Sequence, residues 1–207
     1  MFVDKIIVQI DHAINTLFIN QTSDRKTPSD GMPEPEMSPK ERGIVVGLLR
    51  VNHCGEVCAQ ALYYGQSMLV KNIEYKQTLE LAAQEELDHL VWLQNRLHDL
   101  NGKLSVLDPL FYAYSFSMGI AVSLLGKSWN FAFIHETEQQ VLKHLNKHIR
   151  LLPVQDQKSL KILEQMAEDE EKHSMMALNI GHKTMPEFAA KCMQTIAKVM
   201  TKTTYYI

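Results

Sequence analysis

Two stretches of this sequence set a glutamate and a histidine three residues apart within otherwise apolar helical patterns. Glu86 precedes His89 in the first half of the chain, and Glu170 precedes His173 in the second half. Each pair follows a single glutamate by a similar interval, so the two halves repeat one arrangement. The six residues of the repeat are Glu56, Glu86, His89, Glu138, Glu170 and His173. Carboxylates and imidazoles in this combination are suitable ligands for iron or manganese.

The elements that must position these residues are helices whose inward faces they interrupt. Side chains three apart on a helix project to the same side, so Glu86 and His89 share a face. Apolar residues keep the inward spacing around three of the glutamates. They are Leu79, Ala82, Leu90, Leu93 and Leu97 near Glu86, Leu163, Met166, Ala177 and Ile180 near Glu170, and Phe131, Ile134, Val141 and Leu145 near Glu138. These glutamates are therefore predicted to be buried.

Buried carboxylates need a compensating charge. In mutual contact they repel by roughly 4 kcal/mol per pair at about 4 Å and an effective dielectric constant of about 20. No lysine or arginine falls on these stripes near the glutamates, whereas two divalent cations would balance four carboxylates and leave the histidines neutral. One glutamate from each of two helices and Glu-x-x-His from each of two others is the ligand set of ferritin-like di-iron and di-manganese proteins.

Other interpretations of the same residues stay open. A single Glu-x-x-His motif usually lies on a solvated helix surface. A structural bundle without metal would gain stability from Glu-to-Gln changes at Glu86 and Glu170, whereas a metal centre would lose it. The register is also ambiguous, because Glu85 lies four residues before His89 and Asp169 four before His173. Glu86 and Glu170 are preferred as the ligands, because they fit the apolar stripes better.

Composition limits the classes of function. The chain has 207 residues, a net charge of -3 and no basic stripe, so no nucleic-acid partner is expected. Cys54, Cys58 and Cys192 form neither an even set nor a CxxC pair, which favours a reducing compartment. A zinc site at Cys54, Cys58 and the adjacent His53 lacks a fourth ligand.

Helical periodicity and end signals predict an all-α fold. The predicted helices cover residues 38–70, 73–100, 109–125, 128–152 and 155–179, and a last helix follows Pro186. Ser38, Pro39 and Glu41 form a capping box at the first of these. Two helix pairs with matching motifs predict a ferritin-like four-helix bundle with additional apolar and amphipathic helices.

The chain is predicted to comprise an amphipathic helix over residues 1–19, a polar linker over 20–37 and the metal-binding domain over 38–207. The first helix has apolar residues at helical spacing, namely Phe2, Ile6, Ile10, Ile14 and Leu17. It carries acidic residues and lacks a basic leader, so a signal peptide is not expected. This helix could lie on its own bundle or on a membrane.

Residues 109–126 contain no charged side chain. An uncharged stretch of this length is long enough for a membrane span to be considered. A span would separate the ligands of the first half from those of the second, so the segment is expected to lie on the bundle or dip into one leaflet. Cover by the bundle or by another subunit is one interpretation. A helix that holds the protein at a membrane or receives a lipid-like substrate is the other.

Five segments resemble the 5-demethoxyubiquinone hydroxylase family of ubiquinone biosynthesis in its bacterial form. They are RVNHCGEVCAQALYYGQS, EELDHL, SVLDPLFYAYSFSMGIAVSLLG, ETEQQVLKHLNKHIR and ILEQMAEDEEKHSMMAL. The resemblance implies that the six repeat residues bind two iron ions, with Glu86 and Glu170 as bridges. It also implies an active-site role for His144, which Leu145 follows where many relatives have Tyr.

The reaction that this resemblance implies is O2-dependent hydroxylation of 2-polyprenyl-3-methyl-6-methoxy-1,4-benzoquinol. The expected partners are O2, the polyprenyl quinol and a membrane surface, together with a further copy of the chain or other ubiquinone-biosynthesis proteins. The expected location is the cytoplasmic face of the cell membrane, as a peripheral protein. A ferritin-like iron-oxidising or peroxide-scavenging protein is the alternative, and it would need no apolar helix over residues 109–126.

Overall fold

The computed structural model describes residues 2–19 and 21–207, and folds them into helices joined by turns. The helices are α1 Phe2–Phe18, α2 Pro39–Met68, α3 Ile73–Asp99, α4 Asp108–Ser123, α5 Lys127–Ile149, α6 Gln157–Gly181 and α7 Glu187–Thr204. No strand occurs among the described residues. The prediction of an all-α fold is confirmed.

Helices α2, α3, α5 and α6 form a four-helix bundle in which α2 packs on α3 and α5 packs on α6. The capping box at Ser38 and Glu41 is present as predicted. The predicted ends of α5 and α6 differ from the observed ones, because residues 150–152 turn out of the helix and Asp156 caps α6 by accepting a hydrogen bond from the Ser159 amide. At its other end α6 stops where His182 adopts a left-handed conformation with φ 52°.

Most residues of the inward stripes are buried, whereas Val141 and Ile180 are half-buried, and the stripes form apolar clusters at two levels of the bundle. One cluster includes Trp92, Leu97 and Met166. The other includes Leu79 and Phe131. The six predicted ligands lie between these two levels along their helices.

The apolar helix α4 lies along α2 at close range. A Cβ atom at Gly65 would collide with the backbone of Phe116, and one at Gly119 would collide with the backbone of Leu62, so these glycines allow the two helices to touch. Tyr112 faces the bundle and is buried. Throughout residues 2–19 and 21–207, no helix has both the length and the apolar character needed to cross a bilayer.

Helix α1 contacts the bundle through a few side chains near its C-terminal end, among which Ala13 and Leu17 pack against the apolar core. Thr16 donates a buried hydrogen bond of 2.8 Å to the side chain of Gln60, and His12 stacks on Tyr64 with ring centroids 3.9 Å apart. Large apolar side chains of α1 face outward and are exposed, including Val3, Ile6, Ile7, Ile10, Ile14 and Phe18. The predicted amphipathic helix is present, and its apolar face points away from the bundle except at Leu17, which packs against the core.

Residues 21–37 form no helix or strand, yet they lie against the bundle. Glu34 accepts two hydrogen bonds, of 2.7 and 2.8 Å, from the Arg96 guanidinium. Arg96 is itself buried and pairs with the buried Asp156 at 2.9 Å. This segment is therefore held at a specific point on the surface of the bundle.

Candidate metal centre

Four of the predicted ligands converge inside the bundle. Among the described residues, one group of potential metal ligands has its ligating atoms within 4.8 Å of one another, and its members are Glu56, Glu86, His89 and Glu170. Each is at most 2% exposed. They come from α2, α3 and α6, which pass the same level of the bundle at these residues.

Glu86 and Glu170 lie between the two histidines, with one carboxylate oxygen toward each. His89 Nδ1 is 3.3 Å from Glu86 Oε2 and 3.2 Å from Glu170 Oε1. His173 Nδ1 is 3.1 Å from Glu86 Oε1 and 3.5 Å from Glu170 Oε2. Glu56 Oε2 lies 3.7 Å from His89 Nδ1. In this arrangement, each of two cations would have a histidine nitrogen and an oxygen from both central carboxylates within reach.

Glu138 is buried on α5 beside this group but falls outside the four residues that converge most closely. The Tyr63 hydroxyl donates a hydrogen bond of 2.6 Å to Glu138 Oε1. Tyr63 is also buried. Sequence reasoning did not identify Tyr63, because an aromatic residue on an inward face is indistinguishable from ordinary core.

The protonation of the outer glutamates reflects the charge of the site. Burial raises the pKa of Glu138 well above its ordinary value, and the carboxylates of Glu170 and Glu86 add to this effect. Burial likewise raises the pKa of Glu56, against the opposing hydrogen bond to His89. Without a cation, Glu138 and Glu56 therefore favour their protonated forms.

Several polar atoms at the centre lack a hydrogen-bond partner among the described residues. They are Glu86 Oε1, both carboxylate oxygens of Glu170, and His173 Nδ1. A buried polar group without a partner costs about 1–3 kcal/mol. Oxygen and imidazole donors that share one interior space can be satisfied together by metal ions, so the residues present fit a two-metal centre.

Asp169 and Glu85, the acids that made the register ambiguous, contact the outer nitrogens of the histidines. Asp169 Oδ2 lies 3.3 Å from His89 Nε2. Glu85 Oε2 lies 2.6 Å from His173 Nε2. A metal-binding histidine commonly donates its other ring N–H to a carboxylate, which fixes the ring orientation. This favours Glu86 and Glu170 over their neighbours as the residues that face a metal.

An apolar cavity of about 410 Å³ lies beside the centre, between α2, α4, α5 and α7. Gly55 and Thr137 line it, and they precede Glu56 and Glu138 directly in sequence. His144 lines the same cavity. Leu145 is buried in the apolar core instead. The cavity between the additional helices and the bundle thus reaches the residues that directly precede two predicted ligands.

The zinc alternative gains no support from the described residues. His53 Nδ1 lies 3.3 Å from Asp108 Oδ2, so an acid on α4 contacts this histidine. The thiols of Cys54 and Cys58 are free. These side chains do not form a group of converging ligands like the one around His89.

The chain is similar to known proteins over nearly its whole length. The family model described as ubiquinone biosynthesis protein COQ7 matches residues 44–204. A 3-demethoxyubiquinol 3-hydroxylase of Laribacter hongkongensis is 43% identical over 204 residues, which cover 99% of each chain. Proteins with the same name from Pseudomonas fluorescens and a Marinomonas species are 45% and 44% identical, and cover 99% and 100% of this chain and 96% and 99% of their own.

Proposed function

Because the chain belongs to the ubiquinone biosynthesis protein COQ7 family, we propose that it is a monooxygenase that hydroxylates the ring of a demethoxyubiquinol. The observation that carries this proposal is the buried convergence of Glu56, Glu86, His89 and Glu170. The reaction inserts one atom of O2 into a ring C–H bond and reduces the other to water, with two electrons from a donor and two protons from solvent. The substrate is a quinol with a polyprenyl tail.

Two iron ions are the cofactor in this proposal. Glu56 and His89 would hold one ion, Glu138 and His173 would hold the other, and Glu86 and Glu170 would lie between them. When bound, the iron pair supplies electrons and open coordination positions for O2. The unpartnered buried oxygens of Glu86 and Glu170 support this assignment.

The apolar cavity is the proposed binding site of the quinol. Its lining includes Phe111 and Met118 of α4 and Met193 of α7, which suit a polyprenyl tail. Burial lowers the pKa of His144, with a smaller contribution from Lys147, so this imidazole is neutral at neutral pH. A neutral imidazole can donate or accept a hydrogen bond. In this role His144 orients a ring hydroxyl of the quinol.

The membrane surface is the proposed source of the substrate. Ile7 and Ile10 of α1, Leu110 of α4 and Phe188 of α7 are exposed. Exposed apolar helix faces of this kind favour an interface with lipid. The protein would then be a peripheral protein at the cytoplasmic face of the cell membrane. A second copy of the chain or another protein of ubiquinone biosynthesis would compete for the same faces.

Iron storage or peroxide scavenging is the less favoured function. Neither activity needs an apolar cavity beside the metal centre or apolar faces on three accessory helices. The relatives with the highest identities described above are hydroxylases that match this chain from end to end. A storage protein would assemble into a shell and accumulate mineral, which sedimentation and iron counting would detect.

The test combines metal content with product analysis. Purified protein is loaded anaerobically with Fe(II), mixed with a demethoxyubiquinol in detergent and exposed to 18O2. We expect two iron ions per chain and a product that carries one labelled oxygen atom. Glu170→Ala should lose both, whereas Glu171→Ala, which changes the exposed neighbour on α6, should keep both. Labelled product from Glu170→Ala would overturn the proposal.

A further inference from the structure

The segment between α1 and α2 reaches the edge of the metal centre through Arg25. The Arg25 guanidinium pairs with Asp169 Oδ2 at 2.8 Å. It also lies over the Trp92 ring at 4.8 Å from the ring centroid. The Trp92 indole donates in turn to the Arg25 carbonyl at 3.4 Å. These contacts hold both the side chain and the backbone of Arg25 against α3 and α6.

Neighbouring contacts fix this part of the segment further. The Ser23 hydroxyl donates to Asp88 Oδ1 at 2.6 Å, and Arg25 Nε lies 3.8 Å from Asp88 Oδ2. Further along, Glu34 is held by the buried Arg96. Because the chain is anchored on both sides of Arg25, this residue loses less conformational freedom when it pairs with Asp169 than it would in a free segment.

One oxygen atom connects Arg25 to a predicted metal ligand. Asp169 Oδ2 receives the Arg25 guanidinium at 2.8 Å and lies 3.3 Å from His89 Nε2. With Nε2 bonded to Asp169, the Nδ1 atom of His89 points toward Glu86 and Glu170. We infer that Arg25 is a positioning residue for the metal centre, which holds Asp169 against His89 and thereby orients the ligand nitrogen.

This inference rests on the proposed function, since it requires that His89 bind a metal. Charge alone does not account for the arrangement, because Lys172 pairs with the other oxygen of Asp169 at 2.9 Å from an exposed position. Lys172 can neutralise the carboxylate but does not contact Oδ2. The planar guanidinium of Arg25 both pairs with that oxygen and stacks on Trp92, a combination that lysine cannot reproduce.

His89 and His173 differ in whether a cationic side chain holds the acid that contacts them. Glu85, which contacts His173, has no lysine or arginine within ion-pairing distance among the described residues, and its side chain is 56% exposed. Asp169, which contacts His89, is mostly buried and has Arg25 as a partner. Loss of Arg25 should therefore affect the metal position at His89 and leave the position at His173 nearly unchanged.

The experiment measures the affinity of each metal position separately. Metal-free full-length protein is titrated with Co(II) under anaerobic conditions, and the visible spectrum and calorimetry resolve two binding steps. Removal of a direct partner of a metal-binding histidine costs about 10–100-fold in affinity. For Arg25→Gln, one step removed, we expect about a tenfold loss at one position, with the other position within about twofold of wild type. Arg25→Lys should show a similar loss.

Two further variants separate positioning from general effects. Lys26→Gln removes a positive charge from the adjacent residue and should leave both affinities unchanged. In a protein that already carries Asp169→Asn, Arg25→Gln should add almost no further loss, because both residues act through one contact. Additive losses, or equal losses at both positions, would overturn the inference. Failure of wild-type protein to bind two cobalt ions would instead overturn the proposed function.

Discussion

Asp169 on α6 lies 3.3 Å from His89 Nε2 on α3, so an acid of the second half of the repeat contacts the histidine of the first half. The reverse contact runs from Glu85 on α3 to His173 on α6 at 2.6 Å. Each paired acid thus serves the histidine of the other half, while the glutamate that follows it faces the centre. The repeat in the sequence becomes a pair of crossed contacts, and these contacts tie α3 to α6 at the level of the predicted ligands.

The crossed contacts predict unequal effects of removing the two acids. Asp169→Asn should weaken metal binding at the His89 position by about 10–100-fold, because it removes the charged partner of a buried imidazole. Glu85→Gln should have a smaller effect at the His173 position, since solvent screens the exposed carboxylate. Competition with a chelator of known affinity measures both. A larger loss for Glu85→Gln would contradict this ranking.

The positions of the predicted ligands could be derived from the sequence, because buried helices repeat their inward residues every three to four positions. The same spacing favours Glu86 over Glu85, because adjacent residues on a helix point about 100° apart and Glu86 continues the apolar stripe. It does not show what Glu85 contacts, which depends on where the partner helix lies. Only the packing of α3 against α6 shows that Glu85 contacts His173.

The accessory parts of the chain were less predictable. Apolar spacing in α1 indicates an amphipathic helix, but Thr16 and His12 contact the bundle together with Leu17, while Ile10 faces outward. Spacing alone does not tell which face meets the protein. The contacts of Arg25 were also hidden, because residues 21–37 show no periodicity and their partners are distant in sequence.

Glu138→Gln tests whether the buried acids serve a metal or only the core. Burial and the neighbouring carboxylates raise the pKa of Glu138 in the folded protein. As the pH rises above the ordinary value of 4.5, this acid ionises first in the unfolded chain, so the metal-free protein loses stability. The neutral glutamine should therefore match or exceed the metal-free stability of wild type at pH 8.

The same substitution should reduce the stabilisation that Fe(II) provides. Bound ligand at about 100 times its dissociation constant stabilises a protein by about 2.7 kcal/mol, and Glu138→Gln should remove much of this increment. Anaerobic thermal unfolding with Fe(II) and with chelator measures both effects. An identical response of wild type and variant to Fe(II) would favour the structural bundle without metal.

Tyr63→Phe should destabilise the protein through Glu138. The substitution removes a buried hydrogen bond of 2.6 Å and leaves Glu138 Oε1 without that donor, which costs about 1–3 kcal/mol. Tyr64→Phe is the matched control, because Tyr64 is half-buried and its ring stacking on His12 needs no hydroxyl. Chemical denaturation of the two variants should give a clear loss for Tyr63→Phe only. Equal losses would show that Tyr63 has no special contact with Glu138.

Gly119→Ala should separate α4 from α2. A Cβ atom at this position would collide with the Leu62 carbonyl, which is backbone and cannot rotate away. We expect a loss of unfolding free energy of about 1–3 kcal/mol from overpacking and weaker binding of quinol in the cavity that α4 lines. Gly43→Ala on α2 meets no atom within 4 Å, so it should stabilise the protein by up to about 1 kcal/mol. A neutral effect at Gly119 would argue against the close helix contact.

His148 makes the stability of the metal-free protein depend on pH. Burial, with contributions from His144 and Lys147, lowers its pKa to about 4 from an ordinary value of 6.5. Its Nδ1 atom donates to Asn52 Oδ1 at 2.8 Å, a bond that suits the neutral ring. Between these two pH values the unfolded chain holds the proton and the folded chain does not, so stability falls as the pH is lowered from about 6.5 to about 4.

His148→Gln should remove this part of the pH dependence. The shift corresponds to about 3 kcal/mol, so the difference in unfolding free energy between wild type and variant should change by an amount of that order between pH 7 and pH 4. Denaturant titrations in chelator at several pH values give this difference. His98→Gln, at an exposed position near the end of α3, serves as the control. A pH-independent difference for His148→Gln would mean that folding does not lower the pKa of this imidazole.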